Sequence, residues 1–254
     1  MKLGFLGYGN LARALARGVC TRGILPPEDV YICARTEATL SYARSLRHGT
    51  CPDAAALFET CDVVVLAIKP KVFREMSYEL SHIDTGGKQV ISVMAAVKLE
   101  ELAAVMRCPV MRVMPTLAAA DGKDIMGYST HDDFDNIVPA LGKLGEVLAL
   151  DEDMLERLTV AASCGLGFAA HVLDSYKKQC VSIGFDPEQA EAITRGMFGY
   201  AAQNSESFDA LESRVATKGG VTEAGNNAMD AQLCAAFGAA FSVAGERVGI
   251  KTTK

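Results

Sequence analysis

The stretch Lys2-Leu3-Gly4-Phe5-Leu6-Gly7-Tyr8-Gly9-Asn10-Leu11-Ala12 decides the fold of this chain. A short apolar run, typical of a buried strand, leads into the pattern G-x-G-x-x-A, and a helical sequence follows it. In such a turn the first glycine permits the tight bend, the second lets the backbone approach phosphate oxygens, and the small third residue lets the helix pack near the strand. The helix N-terminal amides then face the anion, which predicts a dinucleotide site. The residues predicted to hold its pyrophosphate are Gly7, Tyr8, Gly9, Asn10 and Leu11.

Short apolar strands alternate with helical stretches through the first 150 residues. The segment Asp62–Ile68 is apolar on both faces, as a central parallel strand should be. This β-α-β-α order predicts a doubly wound parallel sheet of the Rossmann type. The predicted strands are Lys2–Leu6, Val30–Cys33, Asp62–Ile68, Gln89–Val93 and Val110–Val113, with Ile125–Tyr128 and Glu146–Ala149 closing the sheet. The predicted helices are Ala12–Cys20, Thr36–Leu46, Val72–Leu80 and Leu99–Met106.

The character of the sequence changes near Asp151, where alanine, glutamate, glutamine, leucine and methionine begin to recur at helical spacing. We predict at least four helices after this point, one of them capped by Asp186 with Pro187 at its first position. The stretch Ala228–Val248 is too apolar for an exposed helix, so we expect it inside a helical assembly or at a subunit interface. The predicted domains are residues 1–150, around the sheet, and residues 151–254, all helical.

Composition excludes several classes of protein. The 254 residues are 50% hydrophobic and 22% charged, which is typical of a globular protein. The net charge of −6 does not indicate the basic surface that binds nucleic acid. Met1-Lys2 leads directly into the first predicted strand, and no apolar run approaches the roughly 18 residues of a membrane span, so we expect a cytoplasmic protein without a membrane partner. The eight cysteines form no C-x-x-C pair and the four histidines are dispersed, so we expect no metal and no disulfide framework.

The end of the second strand indicates which nucleotide is bound. In NAD-binding folds an acidic residue at this position holds the ribose 2′-hydroxyl, but here Val30–Cys33 is followed by Ala34-Arg35-Thr36. The Arg35 guanidinium suits a 2′-phosphate, which predicts NADP(H) with Ala34, Arg35 and Thr36 among the cofactor-binding residues. In the alternative interpretation Arg35 is a solvated loop residue and Thr36 is a helix N-cap.

Four further segments, in this order and spacing, resemble the pyrroline-5-carboxylate reductase family. They are Leu66-Ala67-Ile68-Lys69-Pro70, Ile91-Ser92-Val93-Met94-Ala95-Ala96, Arg112-Val113-Met114-Pro115, and Lys218-Gly219-Gly220-Val221-Thr222-Glu223-Ala224-Gly225. The resemblance covers nearly the whole chain. It implies an NADP-type Rossmann domain, followed by an all-α C-terminal dimerisation domain that interlocks with its partner in a homodimer or higher homo-oligomer. It also implies that Ala67, Lys69 and Pro70 flank the nicotinamide riboside and that Ala95 lies close by.

The glycine pair in the helical half is the predicted substrate site. Two adjacent glycines opening a helix, Gly219 and Gly220, are expected to present bare amides to a small carboxylate. The resemblance implies that the catalytic residue is Thr222, whose hydroxyl bonds to the ring nitrogen of an imine. The predicted substrate-binding residues beside it are Lys218, Gly219, Gly220 and Val221. From the residues alone, the segment is equally consistent with a plain helix N-terminus.

The chain departs from the family mainly in the segments that concern the substrate. The family run R-x-M-P-N-T-P-A reads Arg112-Val113-Met114-Pro115-Thr116-Leu117-Ala118-Ala119, and S-G-S-G-P-A reads Ala162-Ser163-Cys164-Gly165-Leu166-Gly167. Lys218 replaces a proline, either as a cation that tightens anion binding or as a solvated side chain. Glu223 is a carboxylate where the family is generally apolar; it either pairs with Lys218 or complements the helix N-terminus.

Three functions are consistent with this pattern. The first is NADPH-dependent reduction of a small imino acid, 1-pyrroline-5-carboxylate, to L-proline; the second is reduction of another cyclic imine or a keto or imino acid. The third is a non-catalytic NADP-binding protein with a regulatory role. Two other enzyme classes rank lower. β-Hydroxyacid dehydrogenases need a catalytic lysine in a glycine-asparagine setting, which Lys177 and Lys178 lack, and F420-linked NADP reductases lack a long helical half.

Overall fold

The computed structural model describes residues 1–250 and divides the chain into two compact units. The first unit contains residues 1–163 together with 247–250, and the second contains residues 164–246. Residues 251–254 of the predicted helical domain lie outside the described residues. The predicted functional division between residues 150 and 151 stays a prediction.

An eight-stranded sheet in the order β3-β2-β1-β4-β5-β6-β7-β8 forms the centre of the first unit. The first six strands in chain order are parallel, which confirms the predicted doubly wound sheet. The strand β7 pairs antiparallel with β6, and β8 pairs parallel with β7, so the last two strands run opposite to the others. The strands are β1 Leu3–Leu6, β2 Val30–Cys33, β3 Gly49–Thr50, β4 Val63–Leu66, β5 Gln89–Ser92, β6 Val110–Met114, β7 Asp124–Thr130 and β8 Gly145–Ala149.

Helices pack against the sheet in two apolar clusters. Phe5, Val65 and Met111 belong to one cluster, and Leu66, Phe73 and Leu102 belong to the other. Because side chains alternate across a strand, β4 contributes to both clusters, as expected for a strand covered on both faces. The helices of this unit are α1 Asn10–Thr21, α2 Glu37–Ser45, α3 Ala54–Thr60, α4 Pro70–Leu80, α5 Leu99–Met106, α6 Val138–Leu141 and α7 Glu152–Leu158, with 3₁₀ turns at Pro27–Asp29 and Leu117–Asp121.

The second unit is all helical. A π-helical segment, Thr159–Cys164, leads into α8 Gly165–Ser182, which is followed by α9 Pro187–Gln203, α10 Phe208–Val215 and α11 Val221–Arg247. The predicted cap is confirmed: Asp186 accepts hydrogen bonds from the amides of Glu188 and Gln189, and Pro187 is the first residue of α9.

Helix α11 leaves a row of large apolar side chains exposed. Met229, Leu233, Phe237 and Phe241 recur at every fourth residue, and each is at least 37% exposed. Residues at this spacing lie along one face of a helix, so they form a continuous stripe, here called the α11 stripe. Monomeric proteins seldom leave such a surface in water, which favours an interface between subunits.

Two helical stretches, Glu152–Ser182 and Val221–Arg247, are long and apolar enough to cross a membrane by length and composition. The expectation that no such stretch exists is wrong on these two criteria. Helices that pack between subunits have the same properties, because they too bury a wide apolar surface.

Candidate active site

The turn between β1 and α1 has the geometry that a bound phosphate requires. Gly7 has a φ of +94°, and a Cβ atom there would lie 2.6 Å from the carbonyl oxygen of Ala67. A Cβ atom on Gly9 would meet no atom within 4 Å, so the space above the turn is open. Ala12 is 1% exposed, consistent with close packing of α1 on the sheet. Tyr8 is also buried, and its ring packs into the core beside the turn.

A cleft of about 510 Å³ runs along the carboxyl ends of the central strands. It brings together eight of the predicted cofactor residues: Gly7, Tyr8, Gly9, Ala34, Arg35, Thr36, Ala67 and Lys69. Asn10, Leu11, Pro70 and Ala95 do not line it, although Asn10 and Leu11 begin α1 and Pro70 begins α4. The cleft is also lined by apolar side chains that were not predicted to bind the cofactor, namely Pro52, Val72 and Met76.

Arg35 and Thr36 follow β2 at one end of this cleft. Thr36 caps α2, because its hydroxyl oxygen accepts a hydrogen bond from the Thr39 amide at 3.3 Å. The alternative interpretation, in which Thr36 is a helix N-cap, is therefore correct for its side chain. Arg35 is exposed and pairs with no acidic side chain among residues 1–250, whereas the neighbouring Glu37 is bonded by Arg44. The cleft thus carries a free guanidinium at the position predicted for a 2′-phosphate.

Strand order places the remaining predicted residues in a line. From Arg35 after β2, the carboxyl ends of β1, β4 and β5 follow one another across the sheet. Neighbouring strands are about 4.8 Å apart, so the residues after β5 lie about 14 Å from those after β2. Ala67 follows β4 and Ala95 follows β5, whereas Lys69 caps α4 through its backbone with Pro70 at the first helical position. A dinucleotide extended from Arg35 over the glycine turn therefore directs its second nucleotide toward Ala95.

NADP(H) fits these residues on three observations. The space above Gly9 is open, the first-turn amides of α1 have no side-chain cap, and Arg35 is available to an anion.

Among residues 1–250, no group of three or more histidine, cysteine, aspartate or glutamate side chains is placed to hold a metal ion. The eight cysteines are all free thiols, and burial raises the pKa of Cys61 to about 12, so this thiol stays protonated.

A buried ion cluster that joins β6 to α7 was not recognised from the sequence. Arg112 on β6 is fully buried and bonds to two carboxylates of α7, with Glu152 at 2.8 Å and with Glu156. The same carboxylates accept hydrogen bonds from backbone amides after β5, Glu156 from Ala96 at 3.2 Å and Glu152 from Leu99 at 2.9 Å. Arg112 belongs to the Arg112–Pro115 segment that resembles the family, but the two glutamates are remote in sequence from it and no local pattern indicates that they pair with it.

A second buried contact lies where the chain departs from the family run. Thr116 stands where the family has asparagine, and its amide and hydroxyl both donate to the buried Asp124 carboxylate, at 2.9 and 2.7 Å. Burial raises the pKa of the Asp124 carboxyl, and the hydrogen bonds from Thr116 act in the opposite direction. This pair fixes the turn that follows β6.

The predicted substrate segment precedes and begins α11 in the second unit. The Gly219 amide donates to the Glu223 carboxylate at 2.6 Å, and the Gly220 amide donates to the Thr217 carbonyl at 2.8 Å. The expectation of two bare glycine amides is therefore wrong, because the chain satisfies both itself. The amides of Val221 and Thr222, in the first turn of α11, have no acceptor within the helix. Lys218 and Thr222 are exposed.

Two family models match the chain. A model described as NADP oxidoreductase, coenzyme F420-dependent, matches residues 2–96. A model described as pyrroline-5-carboxylate reductase dimerisation matches residues 152–249. The helical half, which F420-linked NADP reductases are expected to lack, thus matches the dimerisation model.

Several known proteins are similar to the chain over most of its length. The chain is 29% identical over 238 residues to a pyrroline-5-carboxylate reductase of Staphylococcus aureus strain COL, covering 89% of this chain and 88% of that protein. The solved pyrroline carboxylate reductase of Plasmodium falciparum with NADP bound aligns with a TM-score of 0.85 at 18% identity, covering 98% and 97% of the two chains. The Streptococcus pyogenes enzyme aligns with a TM-score of 0.86 at 21% identity, covering 98% of each chain. At these identities the structural likeness shows the fold.

Proposed function

We propose that this chain is a member of the pyrroline-5-carboxylate reductase family and that it reduces 1-pyrroline-5-carboxylate to L-proline in proline biosynthesis, on the strength of the two model matches and the similarity to the S. aureus enzyme. The chain is an NAD(P)H-dependent oxidoreductase, and its cofactor is NADP(H). The single observation that carries the proposal is the cleft at the glycine turn, which combines an open phosphate site with the free guanidinium of Arg35. The P. falciparum relative of the same fold was solved with NADP bound.

The first unit holds the cofactor in this proposal. The first-turn amides of α1 bind the pyrophosphate above Gly9, and Arg35 binds the 2′-phosphate with paired hydrogen bonds. The backbone at Ala67 and Lys69 flanks the nicotinamide riboside, and Ala95 flanks the ring. Bound NADPH supplies the hydride that reduces the carbon of the C=N bond.

The second unit holds the substrate. The substrate carboxylate lies on the amides that open α11, Lys218 precedes these amides in the chain and supplies a cation, and Thr222 donates a hydrogen bond to the imine nitrogen. As the carbon gains the hydride, the nitrogen takes up one proton from solvent water, so C=N becomes CH–NH with the net addition of one hydride and one proton. Thr222 holds the ring nitrogen in place during this change, and no strong acid or base is required of the chain.

A second candidate, reduction of a cyclic imine without this carboxylate, is favoured by one observation. Glu223 already occupies the Gly219 amide and places a negative charge beside the predicted carboxylate site. A neutral imine meets no repulsion from that charge.

The test is a spectrophotometric assay of NADPH oxidation with a panel of substrates. The panel contains 1-pyrroline-5-carboxylate, unsubstituted 1-pyrroline, a six-membered cyclic imino acid and small keto acids with ammonium. Fastest turnover of 1-pyrroline-5-carboxylate with formation of L-proline supports the proposal, and preference for 1-pyrroline supports the second candidate. Tight NADPH binding without oxidation by any compound identifies a non-catalytic protein.

We also propose that the protein works in the cytoplasm as a homodimer or higher homo-oligomer, with a small-molecule imino acid as its ligand and neither nucleic acid nor a membrane as a partner. The dimerisation-model match at residues 152–249 and the exposed α11 stripe support the assembly.

A further inference from the structure

The loop from Met94 to Leu99, which follows β5, is held from within the protein by the buried ion cluster. Three of its backbone groups take part: the Met94 carbonyl lies 3.5 Å from an Arg112 nitrogen, the Ala96 amide donates to Glu156, and the Leu99 amide donates to Glu152. Both carboxylates thus divide their bonds between Arg112 and the loop. The cluster joins the loop to β6 and to α7 at once.

The loop needs such support because Ala96 has a φ of +58°. This left-handed conformation costs an alanine about 1 kcal/mol, and it persists where neighbours enforce it. Glu156 binds the Ala96 amide from inside, and Arg74 donates to the Ala96 carbonyl at 3.1 Å from outside. Arg74 is itself held by Glu101 through two hydrogen bonds of 2.8 and 3.1 Å. Both polar groups of the Ala96 residue are therefore fixed, and Ala95 is fixed with them.

Burial makes the cluster resistant to movement. The Arg112 side chain is fully buried and the Glu156 side chain is 11% exposed, so separating them would leave charge without water or a partner. One nitrogen of Arg112, Nε, and one oxygen of Glu156, Oε2, are buried without a hydrogen-bond partner. Burying a charge and leaving polar atoms without hydrogen bonds costs free energy, and apolar side chains of similar size would avoid that cost. Stability alone therefore does not account for this cluster.

We propose that Arg112, Glu152 and Glu156 are positioning residues for the nicotinamide end of NADPH. They fix the loop at Ala95 and Ala96, where the order of the strands directs the second nucleotide of the cofactor, and they act through the loop without touching cofactor or substrate. This inference rests on the proposed path of the cofactor through the cleft.

The test compares two ligands that differ at the nicotinamide end. NADPH contains the ring, whereas adenosine 2′,5′-bisphosphate carries the adenine, the ribose, the 2′-phosphate and the 5′-phosphate but no nicotinamide riboside. In Glu156→Gln, which keeps the size and one acceptor oxygen but removes the charge, the Kd for NADPH should rise about tenfold. The Kd for adenosine 2′,5′-bisphosphate should stay within about twofold of the wild-type value.

Thr85→Val is the matched control for lost stability. Thr85 is buried and donates to the Met106 carbonyl at 2.7 Å, and it precedes β5 at the opposite edge of the sheet from the loop. This variant should change neither Kd. If Glu156→Gln does not fold, Glu152→Gln replaces it, because Glu152 is 22% exposed and its loss leaves Arg112 paired with Glu156.

Equal weakening of both ligands, or unchanged NADPH binding, would overturn the positioning role. The binding comparison needs no turnover, so it decides this inference even if the wild-type protein reduces no imine. If imine reduction is observed, kcat in Glu156→Gln should fall more than the KM for the imine rises, because a displaced ring slows hydride transfer.

Discussion

At the scale of single residues, Arg35 carries the proposed choice between NADPH and NADH. Arg35→Ala should raise the KM for NADPH by about 10- to 100-fold, since a hydrogen-bonded charge pair with the 2′-phosphate is worth about 1.5–3 kcal/mol. The KM for NADH should change little. Arg44→Ala, which removes a cation of α2 that is already paired with Glu37, is the control. Equal losses for the two cofactors would contradict the phosphate assignment.

Thr222 is the residue on which the proposed chemistry depends. Thr222→Ala should lower kcat/KM because a hydrogen bond to the imine nitrogen is lost. The decrease should correspond to a loss of about 1–3 kcal/mol of transition-state stabilisation. NADPH affinity, measured by fluorescence titration, should not change. Thr222→Ser keeps the hydroxyl and should restore most of the rate. Full activity in the alanine variant would remove Thr222 from the mechanism.

Glu223 competes with a substrate carboxylate in the structure, because it already accepts the Gly219 amide. Glu223→Gln should lower the KM for 1-pyrroline-5-carboxylate by about 3- to 10-fold, since a neutral side chain binds the amide more weakly and repels no carboxylate. The KM for 1-pyrroline should stay the same. Glu188→Gln, on α9, makes an equal change of net charge away from the segment. A higher KM for the carboxylate substrate would show that Glu223 assists binding.

At the scale of elements, alanine substitutions of the two glycines in the β1–α1 turn should affect different properties, stability at Gly7 and NADPH binding at Gly9. Gly7→Ala places a Cβ atom against the Ala67 carbonyl at a positive φ, so it should lower the Tm and cost at least about 1–2 kcal/mol of stability. Gly9→Ala meets open space and should leave the Tm unchanged, yet weaken NADPH binding by obstructing the phosphate. Calorimetry and titration separate the two effects. A normal Kd in Gly9→Ala would place the pyrophosphate elsewhere.

Elements with a strong periodic pattern were predictable from the sequence. The helix Leu99–Met106 and the strand Val30–Cys33 have the predicted bounds, and both contain apolar residues at the spacing of their element. The strand β3 has two residues, too few for any alternation to show, and the seven-residue helix α3 was also missed. The reversal at β7 follows from pairing with β6, a contact that no local pattern encodes.

The candidate site was predictable where it depends on consecutive residues. The glycine turn and the β2 end line one cleft, as their positions after neighbouring strands require. The Arg112 cluster was not predictable, because Glu152 and Glu156 follow Arg112 by 40 and 44 residues. The bond from Gly219 to Glu223 agrees with one of the two interpretations of Glu223, that it complements the helix N-terminus, because a carboxylate four residues after a helix-opening glycine can fold back onto its amide.

At the scale of the whole molecule, the α11 stripe should hold subunits together. Phe237→Glu places a charge in the middle of this stripe, and burying that charge would cost several kcal/mol, so the variant should be monomeric by light scattering. Tyr78→Glu, on α4 of the first unit, where the side chain is 78% exposed, should keep the wild-type mass. An unchanged mass for Phe237→Glu would place the interface on another surface.

The partners of Arg112 also determine where the chain can be cut. A fragment that stops at residue 150 would lose Glu152 and Glu156 and leave a fully buried guanidinium uncompensated. Such a loss costs about 3–5 kcal/mol, a large part of the roughly 5–15 kcal/mol that keeps a typical domain folded. The compact unit accordingly continues to Ser163. A nucleotide-binding fragment made for crystallography or domain grafting therefore has to retain α7, although α7 contributes no strand to the sheet.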